Sequence, residues 1–248
     1  MPIPKFIVQT WKTDNLHIEI QQKIINFLKK NPGYDYKMYN DESIDKFVNK
    51  HYPGEIADCY NRLNIIVAKV DFWRYLVLYK YGGIYLDMDA DILDSLDKLI
   101  RSEDDAIITA EGNPGLFVQW GLMFSAGHPI LKRVIDIVTF NIKTNRYPND
   151  IHKMTGPTAF TEAINSIHSE LFGAESNLYS TITTETDTTY EKDGIKYRVY
   201  SKDYGKFMHY THDSTRYLYT NVTHWRQQEK MRPLLKDGVP DDFVKKLI

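Results

Sequence analysis

The sequence predicts an α/β fold in which a mainly parallel, Rossmann-like sheet is flanked by helices, with a small added lobe towards the C-terminus. Short apolar runs alternate with stretches whose apolar residues recur at helical spacing. Glycine or proline stands at several of the joints between them. A content of 42% hydrophobic and 26% charged residues is typical of a globular chain. Alternation of strands and helices favours parallel pairing, with ligands beyond the carboxyl ends of the strands.

Hydrophobic spacing and stop signals locate the elements of the first part of the chain. In chain order, they are a strand at residues 6–8, a helix from about residue 16 to the Asn31-Pro32-Gly33 stop, a helix at residues 42–51 and a longer helix at residues 62–81. The apolar positions of the long helix form one stripe, and Gly82-Gly83 ends it.

Three further strands and one helix are predicted in the middle of the chain. Short apolar runs indicate strands at residues 84–86, 106–110 and 118–126, and helical spacing follows at residues 129–142. Pro129 occupies the first helical position, which favours a helix entry at His128 over a metal-binding role for this histidine. Threonine clusters and the run Tyr197-Arg198-Val199-Tyr200 predict a β-hairpin within residues 181–200, on the added lobe.

Composition argues against several classes of protein. The formal net charge of −2 provides no field that would hold a polyanion, so we expect no nucleic acid partner. Cys59 is the only cysteine, which rules out an intramolecular disulfide and favours a reducing compartment. The sequence contains neither a signal peptide pattern at its start nor an apolar run approaching ~18 residues. We therefore expect no transmembrane segment and a cytoplasmic location.

Acidic residues follow the strand predicted at residues 84–86. Alternation along a strand would turn Asp87 and Asp89 to the same side while Met88 faces away. Two carboxylates that converge repel each other unless a hard cation such as Mn²⁺ or Mg²⁺ binds them, and that cation can also bridge the phosphates of a nucleoside diphosphate. A lone D-x-D triplet is usually a solvated loop, so the neighbouring residues decide its weight.

A charged pair lies one helix upstream of this motif. Asp71 and Arg74 are three residues apart and are therefore neighbours on one face of the predicted helix. One interpretation is an ordinary intrahelical ion pair, worth about 0.2–0.5 kcal/mol. The other is a pair that faces the same ligand as Asp87 and Asp89. The spacing leaves both interpretations open.

Several motifs, in order along the chain, resemble one family of enzymes. They are Ile3-Pro4-Lys5-Phe6-Ile7-Val8-Gln9-Thr10-Trp11-Lys12, Asn31-Pro32-Gly33-Tyr34-Asp35-Tyr36, Ala68-Lys69-Val70-Asp71-Phe72-Trp73-Arg74-Tyr75, Gly82-Gly83-Ile84-Tyr85-Leu86-Asp87-Met88-Asp89, Val118-Gln119-Trp120, Gly127-His128-Pro129-Ile130-Leu131 and Met154-Thr155-Gly156-Pro157. This series resembles the glycosyltransferases that carry a D-x-D sugar-binding region (glycosyltransferase family 32). The family includes the yeast-type α-1,6-mannosyltransferases of outer-chain initiation and, more remotely, the glucosylating clostridial toxins. Towards the C-terminus Phe207-Met208-His209 and Ser214 match only in part, and Thr215 stands where the family has tryptophan.

The resemblance implies a GT-A type fold and a single catalytic domain over residues 1–248. Residues 1 to about 110 would bind the nucleotide-sugar, and residues from about 111 to 248 would form the acceptor side and the C-terminal lobe. The implied reaction moves a hexose from a nucleotide-sugar, GDP-mannose in preference to a UDP-sugar, to a hydroxyl of a glycan, glycolipid or glycoprotein. Mn²⁺ or Mg²⁺ is the implied cofactor, and retention at the anomeric carbon is the implied outcome.

The resemblance also implies roles for particular residues. The implied catalytic residues are Asp71 and Arg74, which would hold the donor sugar and phosphate, Asp87, which would orient the sugar or a metal-bound water, and Asp89, which would bind the metal. The implied metal ligands are Asp87, Asp89 and His209, with His212 and His224 as rivals for the third position. Gln9, Trp11 and Tyr85 join the implied donor-binding set, although Trp11 also suits plain core packing. The implied acceptor side consists of Gln119, Trp120, Thr155 and Gly156.

Two other functions stay open on the sequence alone. An apolar strand that ends in D-x-D also opens the aspartyl-phosphate phosphatases, in which the first Asp is the nucleophile. Those enzymes have Thr two residues beyond the second Asp, where this chain has Asp91. A non-catalytic carbohydrate-binding module is the second alternative, because sugar affinity does not prove turnover. Glu111 is the best remaining candidate for a general base if the reaction inverts.

Overall fold

A central sheet of seven strands organises the molecule in the computed structural model, which describes residues 1–173, 178–210 and 225–236. The strands of this sheet and of a second, two-stranded sheet are β1 (Phe6–Thr10), β2 (Asp35–Tyr39), β3 (Gly83–Leu86), β4 (Ala90–Ile92), β5 (Ala106–Ile108), β6 (Gly121–Phe124), β7 (Asp187–Lys192), β8 (Ile195–Tyr200) and β9 (Met208–Tyr210). The helices are α1 (Ile18–Lys30), α2 (Asp41–His51), α3 (Glu55–Arg62), α4 (Ile66–Tyr81), α5 (Pro129–Thr144), α6 (Ile151–Met154), α7 (Pro157–Phe172) and α8 (Trp225–Met231).

The central sheet has the strand order β2-β1-β3-β6-β5-β8-β7. Strand β1 pairs in parallel with β2 and β3, and β5 pairs in parallel with β8. Because β6 and β7 are antiparallel to their neighbours, five of the seven strands point in the same direction. The predicted mainly parallel α/β sheet is confirmed. Its parallel part brings the carboxyl ends of β1, β2 and β3 to one edge.

Two hydrophobic cores lie on opposite faces of this sheet. Along β1 and β3, Ile7 and Ile84 contribute to one core, and Val8 and Tyr85 contribute to the other. This division follows from the alternation of side chains along a strand. Helix α1 covers the first face, and helices α2, α4, α5 and α7 cover the second. The sheet is therefore sandwiched between helices, as the sequence predicts.

Helix α4 lies in the interior of the second core. The run from Asp71 to Leu78 is buried without interruption, so the helix has no solvent-facing side along this stretch. Burial of Asp71 and Arg74 in such a helix requires polar partners inside the protein. Among the residues described, no helix is both long enough and apolar enough to cross a membrane.

The predicted helix at residues 62–81 is wrong at its start. Helix α3 ends at Arg62 and α4 begins at Ile66. Between them, Leu63 forms a β-bridge with Leu235, and the Asn64 N–H donates to the carbonyl oxygen of Leu234 at 2.8 Å. A distant part of the chain thus takes the backbone hydrogen bonds that a continuous helix would have used. Local spacing cannot reveal such a partner.

The predicted hairpin forms from β7 and β8, but its place in the fold differs from the prediction. Strand β8 pairs with β5, so the hairpin extends the central sheet and is not part of a separate lobe. The buried Arg198 on β8 fixes this arrangement, since its guanidinium binds both Asp104, at 2.6 and 2.9 Å, and Asp187, at 3.0 Å. Charges of opposite sign thus meet inside the protein where the hairpin joins the sheet.

Candidate active site

A turn at the end of β3 contains both residues of the D-x-D motif. The Ala90 N–H donates to the carbonyl oxygen of Asp87 at 3.0 Å, and the Asp87 N–H donates to the carbonyl oxygen of Trp120 at 2.7 Å. The prediction that strand alternation aligns the two carboxylates is therefore wrong, because the strand ends before them. The turn nevertheless keeps the two carboxylates close enough for the charge on Asp89 to raise the pKa of Asp87.

Arg74 joins helix α4 to this turn. Its Nη2 lies 3.1 Å from Asp71 Oδ1 and 3.4 Å from Asp87 Oδ1. Its Nη1 donates to the carbonyl oxygen of Gln119 at 3.0 Å. Asp71 and Arg74 thus form the intrahelical ion pair of the first interpretation and also meet Asp87, as the second interpretation requires. Both side chains of the pair are buried, whereas that of Asp87 is 26% exposed, so Asp87 offers the open side of the cluster.

Tyr85 supports Asp87 from the strand below it. The Tyr85 hydroxyl donates to Asp87 Oδ1, and the guanidinium carbon of Arg74 lies 4.5 Å from the centroid of the Tyr85 ring. Burial raises the pKa of Tyr85 well above its ordinary value, so the hydroxyl keeps the proton that it donates. Tyr85 therefore orders both charged neighbours, Arg74 through its ring and Asp87 through its hydroxyl.

Within the described residues, the cluster combines the acidic side chains of Asp71, Asp87 and Asp89 with the guanidinium of Arg74. Burial raises the pKa of Asp87 to about 6; Arg74 opposes this shift and Asp89 adds to it. Burial likewise raises the pKa of Asp71, again against the effect of Arg74. Burial lowers the pKa of Arg74, but Asp87, Tyr85, Asp71 and Tyr75 together raise it more, and the guanidinium stays charged. Asp71 and Asp87 thus share one guanidinium, and the charge of Asp89 acts on Asp87 as well, an arrangement that suits a further cation.

Asp87 and Asp89 fit a hard divalent cation. Carboxylate oxygens are the ligands that Mn²⁺ and Mg²⁺ prefer, and a cation between them would offset the repulsion that contributes to the raised pKa of Asp87. The described part of the chain contains no group of three His, Cys, Asp or Glu residues arranged to hold a metal. Further ligands would then come from phosphate oxygens and water, as is common for Mg²⁺.

His209 lies in β9, whose pairing places it opposite Asp91 in β4. Its side chain is exposed, and Asp91 forms an ion pair with Lys23 at 3.2 Å. The structure therefore brings His209 towards Asp91 and not into a cluster with Asp87 and Asp89. His212, Ser214, Thr215 and His224 lie outside the described residues, and the identity of a third metal ligand stays a prediction.

Tyr210 is a site residue that the sequence analysis missed. Its ring stacks on Trp120 with a centroid distance of 5.6 Å, and its hydroxyl hydrogen-bonds the Asp89 side chain. Burial, followed by the charge on Asp89, raises the pKa of Tyr210, so the hydroxyl acts as the donor. Trp120, predicted on the acceptor side, therefore has two links to the D-x-D turn. Its ring stacks on Tyr210, and its carbonyl oxygen accepts from the Asp87 N–H. The neighbouring His209 was the only local signal for this position.

The end of β1 supplies the remaining donor-side residues. Gln9 is buried, donates from Nε2 to the carbonyl oxygen of Asp87 at 3.4 Å and accepts from the Tyr36 hydroxyl at 3.2 Å. Trp11 is partly exposed and packs against the core on the α1 face. The structure therefore places Gln9 beside the D-x-D turn. Stacking of Trp11 on a nucleotide base stays a prediction.

Two predicted residues lie elsewhere than expected. Thr155 is fully buried and donates from its hydroxyl to Asp71 Oδ2 at 3.1 Å, so it cannot line an open acceptor surface. Gly156 packs so closely on helix α6 that an added Cβ would lie 2.9 Å from the Cα of His152. Both residues lie behind Asp71. His128 caps helix α5 and confirms the predicted helix entry.

Comparison with known proteins identifies the same region. Residues 18–106, which include Asp71, Arg74, Asp87 and Asp89, match the family described as glycosyltransferase sugar-binding region containing DXD motif. The chain is 35% identical over 137 residues to inositol phosphoceramide mannosyltransferase 3 of Schizosaccharomyces pombe, covering 54% of this chain and 36% of that protein. It is 26% identical over 204 residues to the initiation-specific alpha-1,6-mannosyltransferase of Candida albicans, covering 66% of this chain and 52% of that protein.

A solved structure shares the fold. The PaToxG glycosyltransferase superimposes with a TM-score of 0.57 at 23% identity, over 67% of this chain and 70% of that chain. The predicted GT-A type α/β fold is confirmed, as is the predicted resemblance to the D-x-D glycosyltransferases. The chain spans about a third to a half of the length of the two mannosyltransferases compared.

Proposed function

We propose that this chain, whose residues 18–106 match the D-x-D sugar-binding region of glycosyltransferases, moves a hexose from a nucleotide-sugar to an acceptor hydroxyl. The observation that carries the proposal is the cluster at the end of β3. There, the partly exposed Asp87 and the neighbouring Asp89 lie above a buried Asp71–Arg74 pair. Carboxylates that need a cation, beside a guanidinium that attracts an anion, suit a sugar linked to a diphosphate.

The proposed division of roles follows the position of each residue, at the D-x-D turn or on helix α4. Asp89 and Asp87 would hold Mn²⁺ or Mg²⁺, and a bound cation would supply positive charge to stabilise a departing diphosphate. Asp71 and Arg74 form the floor of the site and fix the donor sugar through their few exposed atoms. Gln9 binds the backbone carbonyl oxygen of Asp87 and Tyr85 binds its carboxylate, which together fix the position of Asp87. A site fixed in this way lowers the barrier mainly by positioning and by electrostatic stabilisation.

GDP-mannose is the donor that we favour. Its support comes from the names of the relatives, which include an inositol phosphoceramide mannosyltransferase and an initiation-specific alpha-1,6-mannosyltransferase. These names also suggest a glycolipid, glycan or glycoprotein as the acceptor. UDP-sugars remain the second group of donors to test. We further propose a reducing, cytoplasmic location, because Cys59 is the only cysteine and is buried.

We also propose retention at the anomeric carbon. In a retaining reaction the departing phosphate oxygen can take the acceptor proton, so the protein need not supply a base on the opposite face. Asp71, Asp87 and Asp89 already belong to the donor side. Burial raises the pKa of Glu111, whose side chain hydrogen-bonds Asn113 and is repelled by the charge on Asp203. NMR of the first product from GDP-mannose should show an α-linkage; a β-linkage would contradict retention and make Glu111→Gln the next variant.

A thermal-shift screen tests the donor class. GDP-mannose, UDP-glucose, UDP-galactose and UDP-N-acetylglucosamine are each added with Mn²⁺ or with EDTA. A ligand at a hundred times its Kd stabilises the fold by about 2.7 kcal/mol, which raises Tm measurably. We expect one donor group to stabilise the protein only with Mn²⁺. Binding of the sugar without its nucleotide would favour a carbohydrate-binding module. Hydrolysis of an aryl phosphate without nucleotide would favour a phosphatase.

A further inference from the structure

A ring of hydrogen bonds lies behind Asp71 and involves three separate parts of the chain. The Thr155 hydroxyl donates to Asp71 Oδ2 at 3.1 Å, and the Tyr75 hydroxyl donates to the Thr155 carbonyl oxygen at 3.0 Å. The Gln119 side-chain amide donates to the Tyr75 hydroxyl, and the Gln119 carbonyl oxygen accepts from Arg74 Nη1 at 3.0 Å. Arg74 Nη2 returns to Asp71 Oδ1 at 3.1 Å and closes the ring.

Thr155 holds two residues of helix α4 at once. Its hydroxyl binds Asp71, and its carbonyl oxygen accepts from Tyr75, which lies one helical turn further along. The hydroxyl hydrogen has a second acceptor, the carbonyl oxygen of Ile151, but at 3.4 Å this oxygen is more distant than the Asp71 carboxylate. Since Thr155 is fully buried, it cannot contact an acceptor molecule directly.

The close packing of the next residue fixes the backbone at Thr155. An added Cβ on Gly156 would lie 2.9 Å from the Cα of His152 and 3.2 Å from the carbonyl oxygens of His152 and Ile151. These are backbone atoms of helix α6, so they cannot move aside as a flexible side chain would. The Thr155 hydroxyl is therefore presented to Asp71 from a rigid support.

We propose that Thr155 is a positioning residue that fixes the direction of the Asp71 carboxylate and thereby the grip of the protein on the donor sugar. The inference rests on the proposed function, in which Asp71 contacts the sugar. Without the hydroxyl, Asp71 would lose one of its donors inside the protein and would be held by Arg74 and Gln119 alone. The direction of its carboxylate towards the sugar would then be less closely fixed, while the Arg74–Asp87 contact stays in place.

If Thr155 only stabilised the fold, its loss would give a different result. Binding of the sugar and binding of the nucleotide would then weaken together. Asp71 would touch the sugar, whereas the diphosphate interacts with the cation at Asp87 and Asp89. A fault confined to Asp71 should weaken binding of GDP-mannose and leave binding of GDP unchanged. A general loosening of the fold should weaken both. The ratio of the two dissociation constants therefore separates the roles.

The test measures the Kd of GDP-mannose and of GDP, both with Mn²⁺, by isothermal titration calorimetry. If the wild-type protein binds another donor instead, that nucleotide-sugar and its diphosphate are used. Thr155→Val removes the hydroxyl and keeps the shape, and Thr155→Ser restores it. Thr139→Val is the matched control, since the buried Thr139 hydroxyl has no hydrogen-bond partner within the described structure. We expect Thr155→Val to weaken GDP-mannose relative to GDP by about tenfold, the effect of one lost hydrogen bond to a charged group.

The expected pattern has two further parts. Thr155→Ser should return the ratio to within about twofold of the wild-type value, and Thr139→Val should leave it unchanged. An unchanged ratio in a folded Thr155→Val protein would overturn the inference, even if its Tm falls. If this variant does not fold, Tyr75→Phe provides the same comparison, because it removes the bond that holds the Thr155 carbonyl group. Failure of the wild-type protein to bind any nucleotide-sugar would instead refute the proposed function.

Discussion

At the level of single residues, the two carboxylates of the D-x-D motif differ in their surroundings. Asp87 accepts from Tyr85 and lies near Arg74, whereas Asp89 is hydrogen-bonded to Tyr210. The Arg74 guanidinium offsets part of the charge on Asp87, and the Tyr210 hydroxyl fixes the Asp89 side chain. Our proposal assigns Asp89 as the direct metal ligand and Asp87 as the residue that also orients the donor.

Asp89→Asn should abolish metal-dependent transfer without unfolding the protein. The amide keeps the shape of the side chain but lacks the charge that the cation requires. We expect the rate of hexose transfer at saturating Mn²⁺ to fall by at least about a hundredfold, as when electrostatic stabilisation at a reacting centre is lost. Asp91→Asn is the matched control, because Asp91 pairs with Lys23 outside the cluster. Equal loss in both variants, or full activity in Asp89→Asn, would contradict this assignment.

Arg74→Lys should be a severe change although it conserves charge. The fork of Arg74 binds Gln119 through one nitrogen and Asp71 and Asp87 through the other, and a single ammonium group cannot reproduce this geometry. We expect kcat/KM for the donor to fall by at least about tenfold, since a hydrogen bond to a charged group is worth ~1.5–3 kcal/mol. The control is Arg133→Lys, which changes the same residue type in a pair with Glu170 away from the cluster. Unaffected kinetics in Arg74→Lys would favour a simple intrahelical ion pair.

Sequence motifs predicted the residues that meet at the turn but not the direction from which each one acts. The motif series includes Asp71, Arg74, Tyr85 and Asp87. These residues meet in the structure because helix α4 contacts strand β3. Thr155 belongs to the same series, but a motif does not reveal that its side chain is buried. The position of Tyr210 depends on the pairing of β9 with β4, which no local pattern encodes.

At the level of elements, the pairing of β3 with β1 requires a very close approach between the first residue of β3 and the backbone of β1. Gly83 has φ +104°, and a Cβ there would overlap the carbonyl oxygen of Phe6. Gly83→Ala should therefore destabilise the fold by both backbone strain and a clash with a strand. Gly115→Ala is the matched control, with φ +81° and no atom within 4 Å of the added Cβ.

We expect Gly115→Ala to cost about 1–3 kcal/mol, the range for a strained backbone conformation. Gly83→Ala should cost at least about 2 kcal/mol more, because two strands must separate to admit the methyl group. Urea denaturation of both variants measures the difference in the free energy of unfolding. Equal costs would mean that the close approach of β3 to β1 does not constrain this position.

Helix α5 is capped at its N-terminus by His128, which must stay neutral to do so. Nδ1 of His128 accepts from the Ile130 N–H, and Nε2 therefore carries the proton and donates to the Lys196 carbonyl oxygen at 2.9 Å. Burial lowers the pKa of His128 to about 4. Protonation would remove the helix cap and place a positive charge at a helix N-terminus.

This lowered pKa makes stability fall in acid. Above pH 6.5 the histidine is neutral in both states, and between pH 6.5 and about 4 only the unfolded chain binds the proton. The contribution, up to about 3 kcal/mol for a shift of this size, is lost over that interval. His128→Asn keeps a good cap and removes the titration, so its unfolding free energy should fall less between pH 7 and 4.5. Parallel pH profiles for the two proteins would contradict this account.

The element boundaries show where spacing suffices and where it fails. Helices α1 and α5 end near the predicted stops, because Asn31-Pro32-Gly33 and the apolar periodicity are local signals. Strand β2 was not predicted, since Asp35 to Tyr39 is largely polar and lies at a sheet edge. The break between α3 and α4 depends on the distant Leu234 and Leu235, which lie beyond any local window.

For the whole molecule, the topology of the sheet explains why one edge carries the chemistry. The carboxyl ends of β1, β2 and β3 meet there, and each contributes a group to the site: Gln9 from β1, Tyr36 from β2 and the D-x-D turn after β3. Helix α4 enters from below with Asp71 and Arg74. The alternation of strands and helices along the sequence predicted this arrangement in outline, because ligands of such sheets bind beyond the carboxyl ends of the strands.

The most direct test of the central claim is the release of nucleoside diphosphate from a nucleotide-sugar in the absence of an acceptor. The purified chain is incubated with GDP-mannose and, in parallel, with the UDP-sugars, each in Mn²⁺ or in EDTA. A transferase held at its donor complex passes the sugar slowly to water, so we predict diphosphate release from at least one donor with Mn²⁺ and none with EDTA. Donors that are bound but stay intact in Mn²⁺ would contradict a transferase and leave a binding module in its place.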